Sequence, residues 1–136
     1  MKALVTGGGG FLGRAIVNQL LARGDAVRVL GRREPPDLAR RGVECVRAEL
    51  HDRQAVAAAC RGMDAVFHVA AKTGVWGPRN AFYDANVGGT RNVLEGCRQA
   101  GVPRVIYTST PSVVYGSSAI EGGDETLPYP RTFLSA

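Results

Sequence analysis

Two stretches of this sequence carry residue types that could do chemistry. The first, residues 6–13, reads T-G-G-G-G-F-L-G between an apolar run and a helical pattern. Glycines let a backbone turn tightly and approach a pyrophosphate, whose charge then meets the unpaired N–H groups that open the following helix. The second, YTSTPSVVYG at 107–116, brings Ser109, Thr110 and Ser112 to the end of an apolar strand, with Tyr115 just beyond. Hydroxyls so placed could hold an oxygen on which negative charge develops, and a tyrosine could give it a proton.

The glycines alone permit two registers, G-x-G-x-x-G through Gly8, Gly10 and Gly13, and G-x-x-G-x-x-G through Gly7, Gly10 and Gly13. A nucleoside-triphosphate loop is excluded, because Arg14-Ala15 stands where Lys-Ser/Thr is required. At the end of the second strand an acid would bond a ribose 2′-hydroxyl, whereas an arginine would accept a 2′-phosphate. Arg32 and Arg33 stand there, which favours NADP(H); Glu34, one step later, keeps NAD(H) open.

The elements that must position these groups follow from periodicity. Residues 2–6, 26–30, 43–46, 65–69 and 104–108 read as strands. Residues 11–23 place Leu12, Ala15, Ile16, Val17 and Leu20 at helical spacing. A short helix over 36–41 begins at prolines, and a helix over 52–60 takes Asp52 as its N-cap. Residues 79–100 form one long helical pattern with apolar contacts at Val87, Thr90, Val93, Leu94 and Cys97. Strands alternating with helices imply parallel pairing through right-handed crossovers, hence a doubly wound α/β sheet of Rossmann type with ligands at the carboxyl ends of its strands. Residues 116–136 read as loop.

At 136 residues, 45% hydrophobic and 21% charged, the chain reads as one soluble domain. No apolar run approaches the roughly 20 residues that cross a bilayer, nothing resembles a signal peptide, and the expected location is the cytoplasm. The net charge of +5 comes from 15 Arg and two Lys, scattered rather than striped, which argues against a nucleic-acid partner and for small anionic ligands. Cys45, Cys60 and Cys97 lack metal-ligand spacing and are expected to be buried thiols, with no metal bound.

With these elements in order, the chain resembles the extended short-chain dehydrogenase/reductase family over nearly its whole length. Thr6, Gly7, Gly10 and Gly13 match that family's T-G-x-x-G-x-x-G, which selects the second register. The resemblance implies a dinucleotide held by Gly7, Gly10, Phe11, Leu12 and Gly13. It extends that site to Glu49-Leu50 after strand three and to Ala70, Ala71 and Lys72 after strand four. Asn86-Val87-Gly88-Gly89-Thr90 matches a family N-x-x-G-T. Two glycines inside a helix cost about 1 kcal/mol each against alanine, so close packing or a kink should compensate. The strand-five segment resembles the 3β-hydroxysteroid dehydrogenase branch, and A-K-T-G-V-W-G-P at 71–78 resembles bacterial 2-alkyl-3-oxoalkanoate reductases, which act on a β-keto group with NADPH.

By the same resemblance Thr110 and Asn86 take catalytic places, with Ser109 and Ser112 as alternatives to Thr110. The family's proton donor is a tyrosine with lysine four residues later, and Tyr83, Tyr107, Tyr115 and Tyr129 all lack that lysine. The expectation is therefore an amino-terminal part of a longer enzyme, a dinucleotide-binding domain over 1–136 cut before the catalytic pair and the substrate lobe. Its partners would be a dinucleotide and a small-molecule substrate, and an unpaired sheet edge at strand five invites homo-oligomers. A nucleotide-sugar epimerase or dehydratase of the same superfamily and a dinucleotide sensor without chemistry remain the alternatives.

Overall fold

The computed structural model describes residues 1–74, 76–115 and 120–130. The chain alternates strand and helix: β1 (Lys2–Thr6), α1 (Phe11–Ala22), β2 (Ala26–Gly31), α2 (Pro36–Ala39), β3 (Glu44–Arg47), α3 (Arg53–Cys60) and β4 (Ala65–His68). After β4 come α4 (Arg79–Phe82), a π-helical segment (Tyr83–Gly88), α5 (Gly89–Ala100), β5 (Val105–Tyr107) and a 3₁₀ turn (Pro111–Val114). The five strands form one sheet in the order β3-β2-β1-β4-β5, and every pairing is parallel. This is the doubly wound Rossmann-type α/β fold that the alternation implies.

Successive strand residues point to opposite faces, so each face has its own core. Ala3, Val5, Val27 and Val29 meet Val17 and Leu20 of α1 and Leu38 of α2. Leu4, Leu30 and Val66 meet Val56 and Cys60 of α3 and Val93 and Cys97 of α5. Each such fully buried Val or Leu contributes about 1.5–3 kcal/mol. Asp52 caps α3 as expected, its side chain accepting from the Ala55 N–H at 3.0 Å. Cys60 and Cys97 are buried with their sulfurs 3.9 Å apart, and that hydrogen bond together with burial pushes the Cys60 thiol up.

Two helices are turned differently from the expected pattern. In α1 the inward stripe is Gly13, Val17 and Leu20, while Leu12 and Ala15 are exposed. In the long helical stretch Val93 and Cys97 are buried as expected, but Val87 and Leu94 are exposed. Leu94 falls just outside the inward stripe of Gly89, Val93, Gly96 and Cys97, and Val87 lies in the π-helical segment, whose wider turn departs from the α-helical repeat. Gly89 then faces the β3 exit so closely that a Cβ there would lie 2.8 Å from Leu50 Cβ, whereas one on Gly88 would enter open space. Residues 120–130 contain no helix or strand. The rest of the expected loop, at 116–119 and 131–136, lies outside the described residues.

Candidate functional site

The sheet order changes direction beside β1, between β2 and β4, and the carboxyl ends of such strands frame a crevice. The glycine turn lies there. Gly7 leaves β1 with φ 71°, a region that disfavours a side chain, and donates its N–H to the Leu30 carbonyl at 2.8 Å. A Cβ on Gly7 would come within 3.0 Å of Ala70 Cα, and one on Gly13 would overlap the Gly7 carbonyl oxygen. Gly10 donates to that same carbonyl at 2.9 Å and is the N-cap of α1.

No side chain caps α1, and no acidic residue stands in its first turn. The amides of Phe11, Leu12 and Gly13 therefore open a helix whose positive end is unopposed, beside exposed Gly9, Gly10, Phe11 and Leu12. A diphosphate fits this geometry, since the glycines supply clearance and the helix start supplies donors. Arg14 is not part of that donor set, because it is ion-paired to Asp37 of α2 and its hydrogen bond holds that carboxyl below the ordinary range.

The segment leaving β4 is the second wall. Thr6 and His68 are register partners in adjacent parallel strands. Their side chains lie on the sheet face of Leu4 and Val66, which α5 helps to cover, and Thr90 of α5 meets His68. Thr6 Oγ1 accepts the N–H groups of Val69 and Ala70, each at 3.1 Å, and lies 2.7 Å from His68 Nδ1. His68 Nε2 lies 3.0 Å from Thr90 Oγ1, and Thr90 donates to the Asn86 carbonyl at 2.5 Å. His68 is buried, and that burial lowers its pKa.

Asn86, expected among the catalytic residues, uses both ends of its amide on backbone. Its Oδ1 accepts the Lys72 N–H at 2.7 Å and its Nδ2 donates to the Lys72 carbonyl at 3.0 Å. It is thus a clamp on the post-β4 segment rather than a group aimed into the crevice. Ala70, Ala71 and Lys72 lie in that segment, and the Lys72 ammonium sits 5.0 Å from the Phe82 ring centroid.

The remaining expected residues lie at the ends of the neighbouring strands. Arg32 and Arg33 follow β2, are exposed, and have no ion-pair partner among the described residues. Exposed Glu49 and half-buried Leu50 follow β3, where Asn92 of α5 donates to the Leu50 carbonyl at 2.8 Å. Thr110 follows β5 and serves as the N-cap of the 3₁₀ turn, accepting from the Ser112 N–H at 3.3 Å and donating to Ser112 Oγ at 3.2 Å.

Sequence reasoning missed the hydroxyls of Thr6 and Thr90 and the amide of Asn92. Thr6 and Thr90 stand inside the quoted motifs, so the signal was present for them; nothing local marks Asn92. Among the described residues no group of three or more His, Cys, Asp or Glu could hold a metal, and no helix is long and apolar enough to cross a membrane.

Strand order and glycine turn together define a Rossmann-type domain of the short-chain dehydrogenase/reductase kind. The profile of the 3-beta hydroxysteroid dehydrogenase/isomerase family matches residues 4–136, and the chain belongs to that family. It is 47% identical over 135 residues to a 2-alkyl-3-oxoalkanoate reductase of Stenotrophomonas maltophilia, covering 98% of this chain and 41% of that one. It is 42% identical over 139 residues to a 3 beta-hydroxysteroid dehydrogenase/Delta 5→4-isomerase of Mycobacterium tuberculosis, covering 97% and 38%. Among solved structures, the UDP-glucose 4-epimerase of Thermus thermophilus in complex with NAD superposes with a TM-score of 0.82 at 37% identity, covering 96% of this chain and 44% of that one. The chain thus spans about two fifths of the length of these relatives.

Proposed function

We propose that this chain is the cofactor-holding part of an oxidoreductase that binds a nicotinamide dinucleotide, NADP(H) in preference to NAD(H). The substrate class is a 3-keto or 3-hydroxy group on a lipid-like or steroid-like molecule. The observation that carries the reading is the uncapped, acid-free start of α1 packed behind Gly7, Gly10 and Gly13. Phe11, Leu12 and Gly13 would present N–H groups to the diphosphate, residues 70–72 would flank the nicotinamide half, and Glu49-Leu50 the adenine. When bound, the cofactor supplies or accepts the hydride.

The preference for the 2′-phosphate rests on Arg32 and Arg33, which no carboxylate neutralises among the described residues. Thr110 would hold the substrate oxygen in place of the bond it now makes to Ser112. The substrate class draws on the names of the two sequence relatives, which share an oxygen at carbon three.

A nucleotide-sugar epimerase is the second reading, favoured by the 37% identity to the NAD-bound epimerase. A sensor without chemistry is separated from both by the encoding reading frame, which runs on into a Tyr-x-x-x-Lys in an enzyme and lacks one in a sensor. Comparing affinities for NADPH and NADH tests the proposal. We expect NADPH to bind tighter, and Arg32→Ala to weaken NADPH about tenfold, ~1.4 kcal/mol, while leaving NADH unchanged. Tighter NADH binding would overturn the preference and favour the epimerase reading.

A further inference from the structure

The chain of polar groups from β1 to the π-helical segment admits one arrangement of protons. Thr6 Oγ1 accepts two backbone N–H groups, from Val69 and Ala70, which fill both of its lone pairs. Its own proton is therefore left for His68 Nδ1, 2.7 Å away. With Nδ1 accepting, the imidazole proton belongs to Nε2 and is donated to Thr90 Oγ1 at 3.0 Å. Thr90 in turn donates to the Asn86 carbonyl. The Asn86 side chain then grips the Lys72 backbone at both N–H and C=O. The loop is closed: the segment 69–72 is held at its start by Thr6 and at its end by Asn86, and His68 with Thr90 ties the two anchors together.

We propose that His68 and Thr90 are positioning residues for the dinucleotide, fixing the gap between the glycine turn and residues 70–72 through this one-directional chain. The proposal rests on the reading that the crevice holds a nicotinamide dinucleotide. It goes beyond that reading in assigning work to two side chains that reach the crevice only through others. The placing matters because Ala70 comes so near the glycine turn that a Cβ on Gly7 would lie 3.0 Å from Ala70 Cα. A displacement of a few tenths of an ångström at 70–72 therefore changes the width of the crevice.

The test pairs Thr90→Val, which keeps the shape and removes the hydroxyl, with Thr90→Ser, which keeps the hydroxyl. In the full chain, the imidazole nitrogen shifts of His68 should report Nδ1 bare and Nε2 protonated. In Thr90→Val the amide signals of Val69, Ala70 and Lys72 should move while those of core residues such as Leu4 and Val17 stay. NADPH affinity should fall about tenfold, ~1.4 kcal/mol, and Thr90→Ser should restore both signals and affinity. A protonated Nδ1, or a Thr90→Val chain that binds NADPH as wild type does, overturns the proposal. Failure of the wild-type chain to bind any nicotinamide dinucleotide, with the His68 shifts as described, instead sinks the functional reading and the dinucleotide role with it.

Discussion

His68 is enclosed by Thr6, Thr90 and the Tyr107 ring, whose centroid stands 5.6 Å away. Its pKa falls below the ordinary 6.5 because burial disfavours the cation. The sign of the consequence follows from linkage: as pH drops below about 6.5 the unfolded chain takes up a proton that the folded chain refuses. This contribution to stability is complete above about pH 6.5 and is lost as pH falls toward the lower folded pKa, at up to about 1.4 kcal/mol per pH unit. Urea unfolding at pH 7.5 and 5.5, on wild type and on His68→Asn, checks it. The variant should lack the part of the acid destabilisation that His68 carries; an unchanged difference between the two pH values would contradict the account. At this scale the glycines were legible, since a backbone needing φ 71° or an approach with no Cβ admits one residue type. The bond from His68 to Thr90 was not, because it joins residues 22 apart whose meeting depends on the register of two strands and the placing of a helix.

The stretch from Arg79 to Ala100 was legible as helical, and its glycine pair was legible as an anomaly needing compensation. What periodicity could not supply was the wide turn over Tyr83–Gly88, or which of the two glycines meets Leu50. Gly89 is required by Leu50, while Gly88 has helical dihedrals and free space. Gly88→Ala should therefore stabilise the chain by about 0.4–1 kcal/mol through the unfolded state. Gly89→Ala should destabilise it by about 1–3 kcal/mol through overpacking against Leu50. Thermal denaturation of the two variants separates the effects, and equal shifts would show that the β3 exit does not press on α5.

Across the whole molecule, alternation of strands and helices was enough to give a parallel doubly wound sheet, because right-handed crossovers leave few alternatives. The exposure of its far edge was also foreseeable. Val105, Ile106 and Tyr107 of β5 are all exposed, and β4 is the only strand that pairs with β5 among the described residues. An apolar edge of this kind recruits other chains. The chain should self-associate as concentration rises, and Ile106→Lys should reduce that association; light scattering that shows a concentration-independent monomer for the wild type would contradict it. Substrate recognition was legible only through resemblance, since beyond β5 the described residues hold only a 3₁₀ turn, capped by Thr110, and no further helix or strand.

The central claim is that the glycine turn and the open start of α1 hold a nicotinamide dinucleotide. Calorimetric titration of NADPH into the wild-type chain and into Gly13→Ala tests it most directly, because a methyl group there collides with the Gly7 carbonyl that shapes the turn. One equivalent should bind the wild type, and the variant should bind at least about tenfold more weakly, ~1.4 kcal/mol. Equal affinity in the two chains would place the dinucleotide elsewhere and contradict the account.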